Sequence, residues 1–246
     1  MYKLLKNEFV KFSNSYIYYL SFFAMLLPLV LSIIIWYLRR DSFTTSNMYH
    51  WDGLINSLQL FYSLFLGAII PSFIAVFAVF YEFQEKTLHN LLTMPYSRTQ
   101  ILLAKIISSC SIIILINIAV WIIAVIFGLL LGFDNSVNVI FAKTMKLLLP
   151  NLATVLFVPI MIFLTLSFRS FLHGMVLTVV CSVMNFALLY KDSAFLFPWS
   201  IPSNIYFILD GRVTTDFIYP VTSALIVFAL FLFLSIITFR KMDVSR

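Results

Sequence analysis

Six long apolar segments constrain this chain more than any other feature of its sequence. An α-helix needs about 20 mostly apolar residues to cross the hydrocarbon core of a bilayer, and each segment is about that long. Because 62% of the 246 residues are hydrophobic and only 11% are charged, the chain has too little polar surface for a water-soluble fold. The sequence therefore predicts an all-α polytopic membrane protein with a single transmembrane domain over residues 1–246. The predicted spans are residues 16–38, 58–81, 101–131, 147–168, 172–190 and 217–239.

The charged residues between the spans predict the orientation of the chain. The side that holds both termini carries ten basic and four acidic residues, whereas the other side carries six of each. Basic residues are enriched in cytoplasmic loops, so we expect the N- and C-termini in the cytoplasm and the spans in the cell membrane, in a bacterium. Because the basic residues lie at span ends, topology explains the net charge of +6, and no nucleic-acid partner is expected.

A short amphipathic segment precedes the first span. Residues 2–14 place Leu5, Phe9 and Phe12 on one helical face with lysines between them, which is typical of a helix at the inner membrane surface. We therefore expect an interfacial helix; the alternative is a plain, positively charged leader into the span. The first span is too long for the apolar region of a signal peptide, so we do not expect it to be removed.

A polar stretch between the second and third spans has the pattern of a small amphipathic helix. Leu88, Leu91 and Leu92 share one face at helical spacing, and the proline that follows three residues later ends the helix. Ser97 and Gln100 form a capping-box pattern that begins the third span. The alternative interpretation is an ordinary polar loop.

The same stretch resembles the cytoplasmic loop of type-2 ATP-binding-cassette exporter permeases. It has that family's acidic pair, Thr-Leu, proline, small-polar and basic pair, and a lysine early in the third span. The resemblance implies that residues 82–95 form a coupling helix that inserts into a separate ATPase subunit. It also implies a second permease copy or a paralogue. It assigns to ATPase coupling or its support Glu82, Glu85, Lys86, Thr87, Leu88, Leu91, Leu92, Pro95, Arg98 and Lys105.

Residues 191–216, before the last span, are rich in aromatic residues and interrupted by prolines and a glycine. Such a segment predicts short re-entrant or interfacial helices. The run from Pro198 to Pro202 is similar to a stretch in permeases of the lantibiotic-immunity and bacitracin-resistance group, to which the phenol-soluble modulin exporter is related. The family resemblance implies an outer gate in residues 191–216. The alternative is an aromatic belt that anchors the span ends. The gate residues that it implies are Phe195, Phe197, Trp199, Tyr206 and Phe207.

Prolines inside the spans predict kinks. Pro71 and Pro159 each remove a backbone hydrogen bond from a span, whereas Pro150 lies near the start of the fourth predicted span, where it is tolerated. Aromatic residues on one side of the second span are candidates for the translocation path, with lipid-facing or packing roles as the alternative. These residues are Phe61, Tyr62 and Phe65.

Several chemistries have no support in the sequence. The spans hold almost no ionisable groups, which argues against an ion-coupled transporter. The chain has no GxxxxGK[ST] phosphate loop, no HExxH and no Gly-x-Ser-x-Gly, so nothing predicts ATP binding, zinc-protease or serine-hydrolase activity. Cys110 and Cys181 fall within apolar spans and are interpreted as packing residues.

We therefore expect no catalytic residues, metal or cofactor in this chain, with ATP and Mg²⁺ bound by the partner ATPase. The leading prediction is the transmembrane subunit of an ATP-driven exporter that moves amphipathic, antimicrobial or toxin peptides out of the cell or membrane. The alternative is a non-transporting membrane scaffold or immunity protein that sequesters a peptide without an ATPase. A third class, an intramembrane enzyme, lacks a catalytic constellation.

Overall fold

The structure is a computed structural model that describes residues 2–13, 15–39, 48–62, 66–85, 96–133, 136–188 and 191–242. Within these residues the chain is α-helical without a β-strand, as predicted. The helices are α1 (Tyr2–Ser13), α2 (Tyr16–Arg39), α3 (Met48–Phe61), α4 (Gly67–Gln84), α5 (Arg98–Leu130), α6 (Val137–Ala153), α7 (Phe157–Phe168), α8 (Phe171–Leu188), α9 (Ile201–Leu209) and α10 (Ile218–Lys241).

The described residues contain six helical stretches that are long and apolar enough to cross a membrane. They are α2, α4, α5, α6 with α7, α8 and α10, so the six-span prediction is confirmed. The 33 residues of α5 extend about 50 Å at 1.5 Å per residue, which exceeds the roughly 30 Å of hydrocarbon. Its ends therefore lie outside the apolar layer.

Helix α4 is the centre of the bundle and packs against α2, α5, α7 and α8. Its small buried residues Ala75, Val76 and Ala78 allow neighbours to approach closely. Arg169 adopts a left-handed conformation with φ of 49°, which reverses the chain between α7 and α8. These two helices contact each other, as the tight turn predicted.

The molecule has two ends that contain different elements, called the basal and the distal end. The basal end holds α1, the C-terminus of α4 and the N-terminus of α5. The distal end holds α3, the N-terminus of α6, and α9. The charge distribution predicts that the basal end faces the cytoplasm.

The second predicted span, residues 58–81, covers the end of α3 and most of α4. Residues 58–61 belong to α3, and the candidate span among the described residues is Gly67–Gln84. A Cβ atom at Gly67 would lie 2.7 Å from the carbonyl oxygen of Tyr62, so glycine permits this close approach of the backbone. Pro71 lies one turn into α4 and cannot donate to the carbonyl of Gly67.

The fourth span also begins earlier than predicted. Its helix starts at Val137, so Pro150 lies well inside α6 rather than near a span start. A 3-10 turn, Thr154–Leu156, separates α6 from α7. Pro159 has no N–H to donate to the carbonyl of Val155 within that turn, which is why the irregularity lies one turn before the proline.

The helix predicted before the first span is present. The bundle buries Leu4, Glu8 and Phe12 of this helix, whereas Phe9 is exposed on the protein surface. Glu8 is buried because it faces a buried charged group on the bundle, which satisfies its carboxylate.

Candidate functional site

A buried lysine joins three helices at the basal end. The side chain of Lys105 is only 3% exposed, and its Nζ lies 2.9 Å from Oε1 of Glu82 and 3.1 Å from Oε2 of Glu8. Nζ also donates to the carbonyl oxygen of Ala78 at 2.9 Å. Three acceptors therefore satisfy the ammonium group, and this stabilises a charge that would otherwise be very unfavourable away from water.

Lys11 completes this group from the other side. Its Nζ lies 2.6 Å from Oε1 of Glu82 and 3.5 Å from Oε1 of Glu8, and its side chain is 41% exposed. Partial burial lowers the pKa of Lys11, but the carboxylates of Glu8 and Glu82 outweigh that effect and raise it above 10.5. Glu8, Lys11, Glu82 and Lys105, the basal ion cluster, thus balance two negative against two positive charges.

The N-terminus of α5 carries a second connection. The predicted capping box of Ser97 and Gln100 is present, with each side chain bonded to the backbone N–H of the other residue. Arg98 Nη1 donates to the carbonyl oxygens of Arg240 at 3.0 Å and Met242 at 2.8 Å. These carbonyls lie at the C-terminus of α10, where helical partners are lacking. Arg98 therefore joins the start of α5 to the end of the last span.

The predicted coupling residues separate into groups in the structure. Glu82 and Lys105 are buried in the basal ion cluster, Glu85 is exposed at the C-cap of α4, and Arg98 bonds α10. Lys86, Thr87, Leu88, Leu91, Leu92 and Pro95 lie outside the described residues. The described flanks of the segment are thus held together by an ion pair across it.

Glu8 and Lys11 were not among the residues predicted from the sequence. The one available signal is the spacing of Leu4, Glu8 and Phe12, which places a carboxylate in the middle of an otherwise apolar helical face. Such a residue requires a buried cation, but its partners, Lys105 and Glu82, are distant in sequence. Spacing within α1 alone does not identify them.

The predicted gate segment forms compact structure at the distal end. Two 3-10 turns, Asp192–Leu196 and Pro198–Ser200, lead into α9, which packs against α6 and α10. The predicted gate residues lie in ring contacts: Phe195 with Tyr219, Phe197 with Trp199, Trp199 with Phe157, and Tyr206 with Phe207. Trp199, Tyr206 and Phe207 are buried.

Polar contacts connect this segment to its surroundings. The hydroxyl of Tyr206 donates to Oδ1 of Asn56 on α3. Asp210 accepts from Lys146 of α6 at 2.9 Å and pairs with Arg212 at 2.7 Å. The end of α9 is therefore bonded to both α3 and α6.

Two of the predicted path residues, Phe61 and Tyr62, lie at the C-terminal end of α3. Tyr62 is buried, and its hydroxyl donates to the carbonyl oxygen of Met25 at 2.7 Å. Phe61 is half-buried, and Phe65 lies outside the described residues. Tyr62 also lines a cavity of about 10 Å³ with Gln59 and Ser203, which is enough for about one water molecule.

The described part of the chain offers few side chains that could bind a metal or react as thiols. No group of three or more His, Cys, Asp or Glu side chains there is arranged to hold a metal ion. Cys110 and Cys181 are free, half-buried and packed against the core, as predicted.

Two comparisons with known proteins bear on the family of this chain. The family described as ABC-2 family transporter protein matches residues 4–185, well over half of the chain. The bacitracin transport permease protein BCRB of Bacillus licheniformis is 26% identical over 189 residues, which cover 76% of this chain and 89% of that relative. The chain therefore belongs to the ABC-2 transporter family, as a multi-pass membrane permease subunit of an ATP-binding-cassette transporter similar to the bacitracin-resistance group.

Proposed function

We propose that this permease exports amphipathic peptides, including antimicrobial or toxin peptides, with energy from ATP hydrolysed by a separate subunit. That subunit contacts residues 82–95, and a second copy of the chain or a paralogue completes the path. The observation that carries the proposal is the basal ion cluster, because it links both flanks of residues 82–95 to α1.

The proposed coupling follows from the position of the ion pairs. Glu82 lies near the C-terminus of α4, and Lys105 lies two turns into α5. Their contact at 2.9 Å holds the two helices together across the intervening segment. A force that the ATPase applies to this segment therefore moves α1, α4 and α5 as one unit, which is the rigid-body type of transition.

The proposed outer gate consists of α9 and the two turns before it. Tyr206 and Asp210 connect this segment to α3 and α6, and α6 ends at the 3-10 turn Thr154–Leu156. A movement of the spans relative to α3 and α6 changes the position of α9 relative to α10. This movement is the proposed step that releases substrate.

The proposed substrate class rests on the surface of the spans and on the relative. Helices α2, α8 and α10 expose many large apolar side chains, so an amphipathic molecule reaches them from the bilayer. The similar permease from Bacillus licheniformis is named for bacitracin transport. Bacitracin is therefore the first probe, and an unrelated amphipathic helical peptide is the second.

The test is the ATPase rate of the chain, purified with its cognate ATPase in lipid nanodiscs, with and without each peptide. We expect a stable complex whose ATPase rate changes with peptide, and peptide transport in proteoliposomes. Glu85→Gln and Leu88→Ala should retain basal hydrolysis and lose the response to peptide. Asp216→Asn removes an equally exposed carboxylate at the distal end and should behave like the unchanged protein.

Two results would overturn the proposal. A complex that hydrolyses ATP but neither responds to nor transports any peptide contradicts the substrate class. Failure to bind an ATPase, with peptide resistance intact in cells, contradicts coupling and favours the scaffold that sequesters peptide.

A further inference from the structure

Two grooves lie on opposite sides of α1 and differ in charge. The larger, of about 470 Å³, lies between α1, α2 and α4 and ends at the basal ion cluster. The smaller, of about 370 Å³, lies between α1 and α5. Both are large enough to hold part of a small ligand, since such sites begin near 300 Å³.

The cation in the larger groove is already neutralised. Lys11 pairs with Glu82 at 2.6 Å and with Glu8 at 3.5 Å. The carboxylates exclude a further anion from this groove by repulsion, and the two lysines of the cluster exclude a further cation. This groove therefore offers no net charge to a ligand.

The smaller groove combines an apolar floor with an unpaired cation. Its lining includes Phe9 and Val10 of α1, and Ile112 and Leu115 of α5, with Lys6 at its edge. Lys6 is exposed and makes no ion pair with any described residue.

Lys3 strengthens the positive charge at the same edge. It lies three residues before Lys6, so both lysines occupy one face of α1. Lys3 is also exposed and without an ion-pair partner in the described part of the chain. Basic residues on an amphipathic helix at the inner leaflet attract anionic lipid headgroups.

We propose that the groove between α1 and α5 binds an anionic phospholipid of the inner leaflet. Its phosphate lies at Lys6 with support from Lys3, and an acyl chain lies along Leu115 and the aromatic ring of Phe9. Charge complementarity selects this occupant, because the apolar floor suits any lipid tail whereas the unpaired lysines favour a negative headgroup. None of the residues that line this groove belongs to residues 82–95.

The experiment is a lipid titration of the purified full-length chain, followed by native mass spectrometry. Phosphatidylglycerol and phosphatidylcholine with identical acyl chains are compared. The unchanged protein should retain phosphatidylglycerol about fivefold more strongly than phosphatidylcholine, the factor expected for one lysine near an anionic headgroup. Inorganic phosphate at millimolar concentration should not displace the lipid, because it lacks the acyl chain.

Substitutions distinguish recognition of the lipid headgroup from binding of the acyl chain. Lys6→Gln should abolish the preference for phosphatidylglycerol, and Lys6→Arg should keep it. Leu115→Trp, which fills the groove without changing charge, should weaken both lipids. Lys241→Gln removes an exposed basal lysine outside the groove and should leave the preference unchanged.

Three outcomes would overturn the proposal. Equal retention of the two lipids by the unchanged protein would show that the groove does not recognise a negative headgroup. An equal loss in Lys6→Gln and Lys241→Gln would indicate diffuse attraction rather than a site. If a chain that carries Val10→Cys forms a disulfide with a second chain that carries Leu115→Cys, a second copy occupies the groove.

Discussion

The two ends of this permease use the same ionic groups in different environments. At the basal end, Lys105 and Glu82 have side chains that are 3% and 2% exposed. At the distal end, Lys143 pairs with Asp52 at 2.7 Å, but these side chains are 22% and 36% exposed. Water therefore competes with the distal pair and is excluded from the basal one. The difference predicts that removing the basal pair destabilises the protein more than removing the distal pair.

The largest expected effect comes from removing the buried ammonium at the basal end. Lys105→Met leaves Glu8 and Glu82 with only the partly exposed Lys11 as a partner. Removing one member of a buried ion pair costs about 3–5 kcal/mol, so we expect a loss of this order in the free energy of unfolding, measured by denaturant titration in detergent. Lys143→Met should cost about 0–1 kcal/mol.

A second substitution sharpens this test. Glu82→Gln, added to Lys105→Met, removes one of the two stranded carboxylates and should recover part of the lost stability. Equal destabilisation by Lys105→Met and Lys143→Met would contradict the contrast between the two ends. Destabilisations that simply add in the double variant would contradict a direct pairing of Glu82 with Lys105.

The distal end is stabilised by aromatic packing, and a single methyl group tests it. Trp51 is fully buried against α5, and a Cβ at Gly128 would lie 2.2 Å from its ring. Gly128→Ala must therefore displace the indole, and overpacking of this kind costs about 1–3 kcal/mol. Thermal unfolding and tryptophan emission measure the effect. At Gly174, where the nearest atom is a γ-methyl group of Val76 at 3.3 Å, alanine should cost less because the approach is much less close.

A smaller effect is expected where Arg98 meets the end of α10. Arg98→Met removes the hydrogen bonds to the carbonyls of Arg240 and Met242. Because this contact is partly exposed, we expect a loss of about 1 kcal/mol and faster amide exchange in the last turn of α10. Arg98→Lys retains a hydrogen-bond donor and should preserve much of the protection of these amides from exchange. Unchanged exchange in Arg98→Met would show that the arginine does not stabilise this helix end.

Local patterns in the sequence predicted local structure well. The spans were found because each has a long apolar run, and the Ser97–Gln100 cap was found because both partners lie within one turn. Helix α3 was missed because polar residues such as Asp52 and Gln59 lower its mean hydropathy. Its buried residues, Trp51, Leu54, Ile55 and Leu58, nevertheless follow helical spacing.

The site was predicted only where the family pattern covers it. Glu82 and Lys105 were named from the resemblance, but their burial and their contact were not. Glu8 joins them from 97 residues before Lys105, and no periodicity within α1 identifies a partner at that distance. Non-local ionic contacts depend on how the helices pack, and packing at this precision is not encoded in a single segment.

The smallest expected effect concerns Lys11, the one member of the basal ion cluster that water reaches. Its carboxylate neighbours raise its pKa above 10.5 in the folded protein, so the folded state binds this proton more tightly than the unfolded chain does. The resulting stabilisation is complete below about pH 10.5 and is lost as the pH rises through the raised pKa. Because the side chain is 41% exposed, we expect less than about 1 kcal/mol.

Thermal unfolding from pH 8 to pH 12 measures this contribution, with Lys11→Met as the reference. Lysines and tyrosines elsewhere titrate in both proteins, so the difference between the two melting temperatures isolates Lys11. That difference should be constant up to about pH 10.5 and shrink above it. A difference that stays constant through pH 12 would mean that Lys11 stabilises the basal end through its methylene groups rather than its charge. The charges that stabilise the basal ion cluster would then be those of Glu8, Glu82 and Lys105, with two carboxylates and one ammonium group.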